Sequence, residues 1–142
     1  MRAIFGVLFA VVIAKTSAQE IVLAEEGDFK VILDLNNADK TDGPKPQPGD
    51  RVAVRYAGKF ADGKEFDSNF NRSRPFIFEI GKKKVIKCWE KAFPYLSKGM
   101  KAEVYCPSEY AYGSGGAGRI IPPNSDLIFN VQLVDINPVE TP

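Results

Sequence analysis

Val85-Ile86-Lys87-Cys88-Trp89 opens the one segment of this chain with a clear helical period, and it carries the only tryptophan. Ile86, Trp89, Phe93 and Leu96 follow at steps of three and four, the spacing that gathers side chains on one face of a helix. Pro94 limits the segment, because proline lacks the N–H for the i to i−4 bond and disfavours helical geometry in the residue before it. The spacing therefore predicts a helix from about Val85 to about Phe93. Two turns are too short to stand alone, so the apolar stripe must be buried against another element. The rest of the chain reads as strand, turn and loop, which predicts an α+β domain with one short helix laid across one curved antiparallel sheet.

Outward from the helix, Phe76, Phe78 and Ile80 alternate up to Gly81, a half-buried strand. Before it, Val52, Val54 and Tyr56 share one face of a strand, and Ala61-Asp62-Gly63-Lys64 is a turn that returns the chain as Glu65-Phe66-Asp67. Phe29, Val31, Leu33 and Leu35 form an N-terminal strand, followed from Asn36 to Gly49 by a loop with Pro44, Pro46 and Pro48. On the other side, Ala102, Val104 and Cys106 share a strand face. A glycine-rich loop runs from Pro107 to Pro123, and Leu127, Phe129, Val131 and Leu133 line one side of the last strand.

At 142 residues, 44% hydrophobic and 26% charged, the chain has the length and composition of one globular domain. It contains no histidine, which excludes the commonest general base and the usual zinc ligand; the two cysteines are too few for a Cys-only zinc site. No metal and no cofactor is expected. Arg2, the apolar run Ala3 to Ala14 and the small residues Thr16-Ser17-Ala18 read as a secretory signal peptide of residues 1–18, too short for a membrane anchor. Its removal takes away two basic residues and leaves 17 basic and 18 acidic ones, a charge of −1. A near-neutral chain is a poor partner for nucleic acid, and Lys82-Lys83-Lys84 with Lys87 reads as a solvated loop. Residues 19–48 then form the N-terminal strand and proline-rich loop and 49–137 the functional unit, within one globular domain 19–142. Asn71-Arg72-Ser73 is an N-glycosylation sequon, with Asn71 the acceptor if the chain enters a eukaryotic secretory pathway.

Gly113, Gly115 and Gly118 have the letters of a dinucleotide-binding loop, but Arg119-Ile120-Ile121-Pro122-Pro123 cannot begin the helix that motif needs. Asp67 lacks a second carboxylate placed for paired acid–base work. The aromatics are more informative. Tyr56, Phe66, Phe76, Trp89, Tyr110, Tyr112 and Phe129 come from several elements yet share one interior, and tyrosines among them suggest an apolar pocket with a few polar tips rather than a plain core. Cys88 lies on the helix and Cys106 at a core-facing strand position; a bond across the core in an oxidising compartment and two buried thiols are both open.

Several runs together resemble the FK506-binding proteins: Val54-Arg55-Tyr56-Ala57-Gly58, Gly63-Lys64-Glu65-Phe66-Asp67-Ser68, Pro75-Phe76-Ile77-Phe78, Val85 to Glu90, Tyr110-Ala111-Tyr112-Gly113, Ile120-Ile121-Pro122-Pro123 and Leu127-Ile128-Phe129. The resemblance spans about Gly49 to Ile136. It implies a five- to six-stranded antiparallel sheet wrapped round one short helix and a peptidyl-prolyl cis-trans isomerase that binds FK506- or rapamycin-type macrolides. The signal peptide and length resemble the small secretory-pathway members, which implies a monomeric folding catalyst of the endoplasmic reticulum lumen or an exported one, without a stable membrane anchor. By motif, Tyr56, Phe66, Asp67, Trp89, Tyr112 and Phe129 take the catalytic positions. Phe76, Val85, Ile86, Ile120 and Ile121 take binding positions, Trp89 is the floor, and Arg72 partners Asp67. Cys88 stands where the family usually has glycine, and Ala117-Gly118-Arg119 replaces the usual loop tip. The competing expectation is a non-catalytic chaperone that captures proline-containing clients in the same pocket.

Overall fold

The computed structural model describes residues 20–36 and 43–139. The signal-peptide segment 1–18 and part of the proline-rich loop lie outside the described residues. Along the chain run strands β1 (Ile21–Glu26), β2 (Phe29–Leu33), β3 (Arg51–Phe60), β4 (Glu65–Ser68) and β5 (Phe76–Glu79). Helix α1 (Lys87–Ala92) follows, then β6 (Lys101–Cys106) and β7 (Leu127–Ile136). All pair antiparallel in one sheet of order β1-β2-β6-β7-β3-β4, with β5 beside β4 on the same outer edge of β3. The predicted antiparallel sheet around one short helix is therefore the observed fold.

Strand β3 organises this sheet. One of its edges pairs with β7 over its whole length, from Val52 opposite Ile136 to Phe60 opposite Leu127. Its other edge is divided: β5 covers Arg51 to Val54 and β4 covers Ala57 to Lys59. The concave face carries Val52, Val54, Val104, Val131 and Leu133, all buried, and the helix lies on it.

The helix starts two residues later than its sequence period suggests. Ile86 is extended (φ −61°, ψ 151°) and acts as the cap, its carbonyl accepting from the N–H groups of Trp89 (3.0 Å) and Glu90 (3.2 Å). Pro94 falls near the start of a separate 3-10 turn, Phe93–Tyr95, where a missing N–H costs nothing. The apolar stripe runs unbroken through both pieces, with Trp89, Phe93 and Leu96 buried and Ile86 partly so. Cys88 on the helix and Cys106 at the end of β6 form a disulfide, Cα atoms 5.7 Å apart, which ties the helix to the sheet.

Strand β1 is an addition to the alternating pattern. Ile21-Val22-Leu23-Ala24 has no period of two, because as a bulged edge strand it is half-buried on both sides. Strand β2 stops at Leu33 rather than Leu35: the Asp34 carboxylate accepts the Asn36 N–H (3.0 Å) in a local turn, and Leu35 is exposed.

Candidate functional site

The helix and the divided edge of β3 enclose a cavity of about 210 Å³ open to solvent. Its floor is Trp89, only 5% exposed. The indole meets Tyr56, Phe129, Phe93 and Phe76 edge-on at centroid distances of 5.0, 5.4, 5.6 and 6.1 Å, and Phe78 at 5.9 Å. Edge-to-face pairs match positive ring edges to negative faces, so this knot has both area and orientation holding it. The indole N–H is buried and has no hydrogen-bond partner among the described residues.

One wall is aromatic and depends on a missing side chain. Phe66 and Phe129 stand nearly perpendicular, centroids 5.9 Å apart, and Phe60 backs Phe66 at 5.0 Å. A Cβ at Gly58 would lie 2.6 Å from Phe66 Cζ and 2.8 Å from Phe129 Cε1, so only glycine lets the two rings close over β3. In the sequence Gly58 is one residue of the Val54-Arg55-Tyr56-Ala57-Gly58 motif, and nothing there marks this close approach.

The opposite wall is polar. Tyr56 donates its hydroxyl to Asp67 Oδ2 at 2.7 Å, Asp67 Oδ1 accepts the Ser68 N–H at 2.8 Å, and Arg72 Nη2 lies 3.7 Å from the same Oδ1. Burial first, and then the carboxylate it serves, push the Tyr56 phenol up to about 12. Tyr112 sits at the rim, 40% exposed. Its phenol is raised, chiefly by burial and also by the field of Asp67, and its hydroxyl has no protein hydrogen-bond partner among the described residues. Both phenols therefore stay protonated donors at neutral pH.

Two residues that sequence reasoning missed hold this wall in place. Between β4 and β5 the outer edge of β3 would be bare, and Asn69 fills the gap. Its Oδ1 accepts the Tyr56 N–H (2.7 Å), its Nδ2 donates to the Val54 carbonyl (3.1 Å), and its own N–H donates to the Tyr56 carbonyl (3.0 Å). Arg55, on the far face of β3, donates Nη1 to the carbonyls of Asn69 (2.8 Å) and Arg72 (2.7 Å), which fixes the loop carrying Arg72. Nothing in the sequence marks either contact, since both bridge residues 13 to 17 apart through one side chain.

Val85 and Ile86 form the remaining rim. The loop before them is pinned from the helix: Glu90 Oε1 accepts the Gly81 N–H (2.8 Å) and Oε2 the Lys83 N–H (3.0 Å). The Ile86 N–H has no protein acceptor among the described residues.

The structure thus gathers Tyr56, Phe66, Asp67, Phe76, Val85, Ile86, Trp89, Tyr112 and Phe129 round one cavity. It does not bring Ile120 or Ile121 there. Ile121 is 4% exposed, bridged to Ala117 and packed into the core, while Ile120 is 62% exposed at the loop tip. Tyr110 also stands apart from the aromatic cluster: it packs on Phe29 at 5.9 Å and donates to Glu26 (2.9 Å). Asn71 is exposed on the loop that Arg55 fixes.

Among the described residues no cluster of acids and cysteines could hold a metal ion, and no helix is long and apolar enough to cross a membrane. No serine, threonine or cysteine is among the residues that line the cavity. What the arrangement offers is an aromatic floor and wall, a polar wall with two protonated phenols and the Asp67 carboxylate, Lys84 at the lining, and an Ile86 N–H without a protein acceptor among the described residues.

The chain matches the protein family described as FKBP-type peptidyl-prolyl cis-trans isomerase over residues 43–134. It is 46% identical to FK506-binding protein 1 of Kluyveromyces lactis over 79% of this chain and 96% of that one. It is 45% identical to the peptidyl-prolyl cis-trans isomerase Fkbp12 of Drosophila melanogaster, over 64% of this chain and 84% of the relative. A peptidyl-prolyl cis-trans isomerase of Schizosaccharomyces pombe is 42% identical over 65% of this chain and 82% of its own length.

Proposed function

This chain belongs to the FKBP-type peptidyl-prolyl cis-trans isomerases, and we propose that the cavity floored by Trp89 is where it turns the X-Pro bond. The observation that carries the reading is the convergence of Trp89, Phe66, Phe76, Phe129, Val85 and Ile86 on one cavity whose polar lining is Tyr56, Asp67, Lys84 and Tyr112. Rotation about an X-Pro bond must break amide resonance against a barrier of about 18–20 kcal/mol, and needs no covalent step. Water hydrogen-bonds the imide carbonyl best in its planar, charge-separated form. Seating the proline ring on Trp89 strips that hydration from the ground state, while the twisted state, already less polar, loses less. The Ile86 N–H anchors the client backbone, and the Tyr112 hydroxyl is a donor for a client carbonyl at the rim. Asp67, held by Tyr56, Ser68 and Arg72, keeps Tyr56 oriented at the cavity wall. Each tenfold acceleration requires about 1.4 kcal/mol, within reach of desolvation plus a few such contacts.

The same cavity accepts an FK506- or rapamycin-type macrolide in place of proline. The printed name of the Kluyveromyces lactis relative supports this reading. An isomerisation assay on an X-Pro peptide with increasing macrolide tests it: full competitive loss of turnover is expected, and turnover indifferent to saturating macrolide refutes it.

The protein works in the secretory pathway, in the endoplasmic reticulum lumen or beyond it. The apolar run Ala3 to Ala14 after Arg2 supports this, as does the Cys88–Cys106 bond, since disulfides persist in oxidising compartments. Mass analysis of the protein from a eukaryotic secreting cell should show an N-terminus at Gln19; a full-length cytosolic product refutes the assignment.

A further inference from the structure

The lysine run that the sequence presents as a solvated loop does not lie away from the site. Lys84 and Val85 line the catalytic cavity. Val85 also lines a second, larger concavity of about 640 Å³, together with Pro48, Ile80, Pro94, Lys83 and Lys87. The two hollows therefore share a wall, and a peptide whose proline occupies the first has a path over Val85 into the second.

The second hollow has an apolar floor, from Pro48, Ile80, Val85 and Pro94, and a charged rim. Its charges are unbalanced. Lys82 pairs with Glu79 at 3.8 Å, but Lys83 and Lys84 have no ion-pair partner among the described residues. Lys87 rests on the Tyr110 ring at 4.6 Å and feels the charge of Glu26, whose carboxyl it helps hold below its usual range. The one carboxylate lining the hollow, Glu90, accepts from the N–H groups of Gly81 and Lys83 and keeps its charge. On the far side of the catalytic cavity Asp67 and Arg72 offset each other. Lys83 is also fixed in place: its backbone is left-handed (φ 56°) and tied to Glu90.

We infer that the groove of Pro48, Ile80, Val85 and Pro94, with Lys83 and Lys87 at its rim and Lys84 on the adjoining cavity, is a client subsite for a proline-containing segment with an acidic side chain near its proline. An apolar floor suits the chain beside the proline, and Lys83 and Lys84, which have no ion-pair partner among the described residues, outweigh the Glu90 carboxylate and favour an anion over a cation. This inference rests on the catalytic reading of the Trp89 cavity and adds a substrate class to it.

The test is kcat/KM for X-Pro peptides that carry Glu, Gln or Lys two residues before or two residues after the proline. At low ionic strength the Glu peptide should exceed its Lys counterpart by about 3- to 5-fold on one side of the proline, the side that enters the groove. At about 0.5 M salt that ratio should shrink toward one. Lys83→Glu should abolish or invert the preference. Equal kcat/KM for all three residues on both sides, or a preference that Lys83→Glu leaves intact, overturns the subsite while the Gln peptide's turnover keeps the catalytic reading standing. Failure to turn over even the Gln peptide removes the catalytic reading itself, and this inference with it.

Discussion

Tyr56 Oη lies 2.7 Å from Asp67 Oδ2, so the phenol on β3 and the carboxylate on β4 form one hydrogen-bonded unit at the edge of the cavity. Folding withholds the Tyr56 proton until about pH 12, against an ordinary phenol near 10. The sign follows: between those values the folded protein keeps a proton that the unfolded chain has lost. The stabilisation is thus fully present below about pH 10 and disappears as pH rises through about 12. Phenolate absorbance should show a component near 12 that Tyr56→Phe removes and Asp67→Asn moves downward, without reaching 10 because burial remains. Tyr105, hydrogen-bonded to Glu103, also titrates at about 12 and must persist in both variants.

Gly58→Ala should disturb the cavity more than the fold. The new Cβ meets the Phe66 and Phe129 rings well inside contact distance, and relief requires the rings to move apart. Overpacking of this kind costs about 1–3 kcal/mol. Denaturant unfolding should show that loss, and kcat/KM should fall at least about tenfold. Unchanged values for both would mean that the rings do not close over Gly58.

Asn69→Ala leaves the Tyr56 N–H without its acceptor and takes one donor from the Val54 carbonyl, which β5 also covers. Each unsatisfied group costs about 1–3 kcal/mol unless water enters. A stability loss of about 2 kcal/mol is expected, with faster amide exchange at Tyr56 as the site-specific readout. Wild-type exchange at Tyr56 in the variant would show that Asn69 does not close that edge.

Reducing the Cys88–Cys106 bond, or replacing both cysteines with alanine, should lower stability by about 2–4 kcal/mol, as expected for a loop with a sequence separation of 18. Because Cys88 precedes Trp89, near-ultraviolet dichroism of the tryptophan should change with it. A reduced protein as stable as the oxidised one contradicts the tie between helix and sheet.

The helix was legible because Ile86, Trp89, Phe93 and Leu96 keep one apolar stripe whatever the backbone does locally. Its true start was not, since capping by the Ile86 carbonyl leaves no signature in side-chain type. Strands β2, β3, β6 and β7 showed themselves by alternation, whereas β1 hid because an edge strand buries both faces only halfway. The identities of the cavity residues followed from motif resemblance rather than from periodicity. The supports behind them, Arg55, Gly58, Asn69 and Glu90, act through contacts set by the three-dimensional path of the chain. Ile120 and Ile121 illustrate the converse: adjacent in a familiar run, they are separated by the Ala117–Ile121 bridge into an exposed tip and a core anchor.

Under the proposed function, the cavity of Trp89 and Phe66 turns the X-Pro bond without proton transfer or a covalent step. The most direct measurement is isomerisation of one neutral X-Pro peptide by the wild type, Trp89→Ala and Phe66→Tyr, each variant first shown to be folded by dichroism. Turnover by the wild type should be flat from about pH 6 to about pH 9, where neither phenol loses its proton, and should drop at least about tenfold in both variants. A folded Trp89→Ala or Phe66→Tyr protein with wild-type kcat/KM would show that this cavity does not turn the bond.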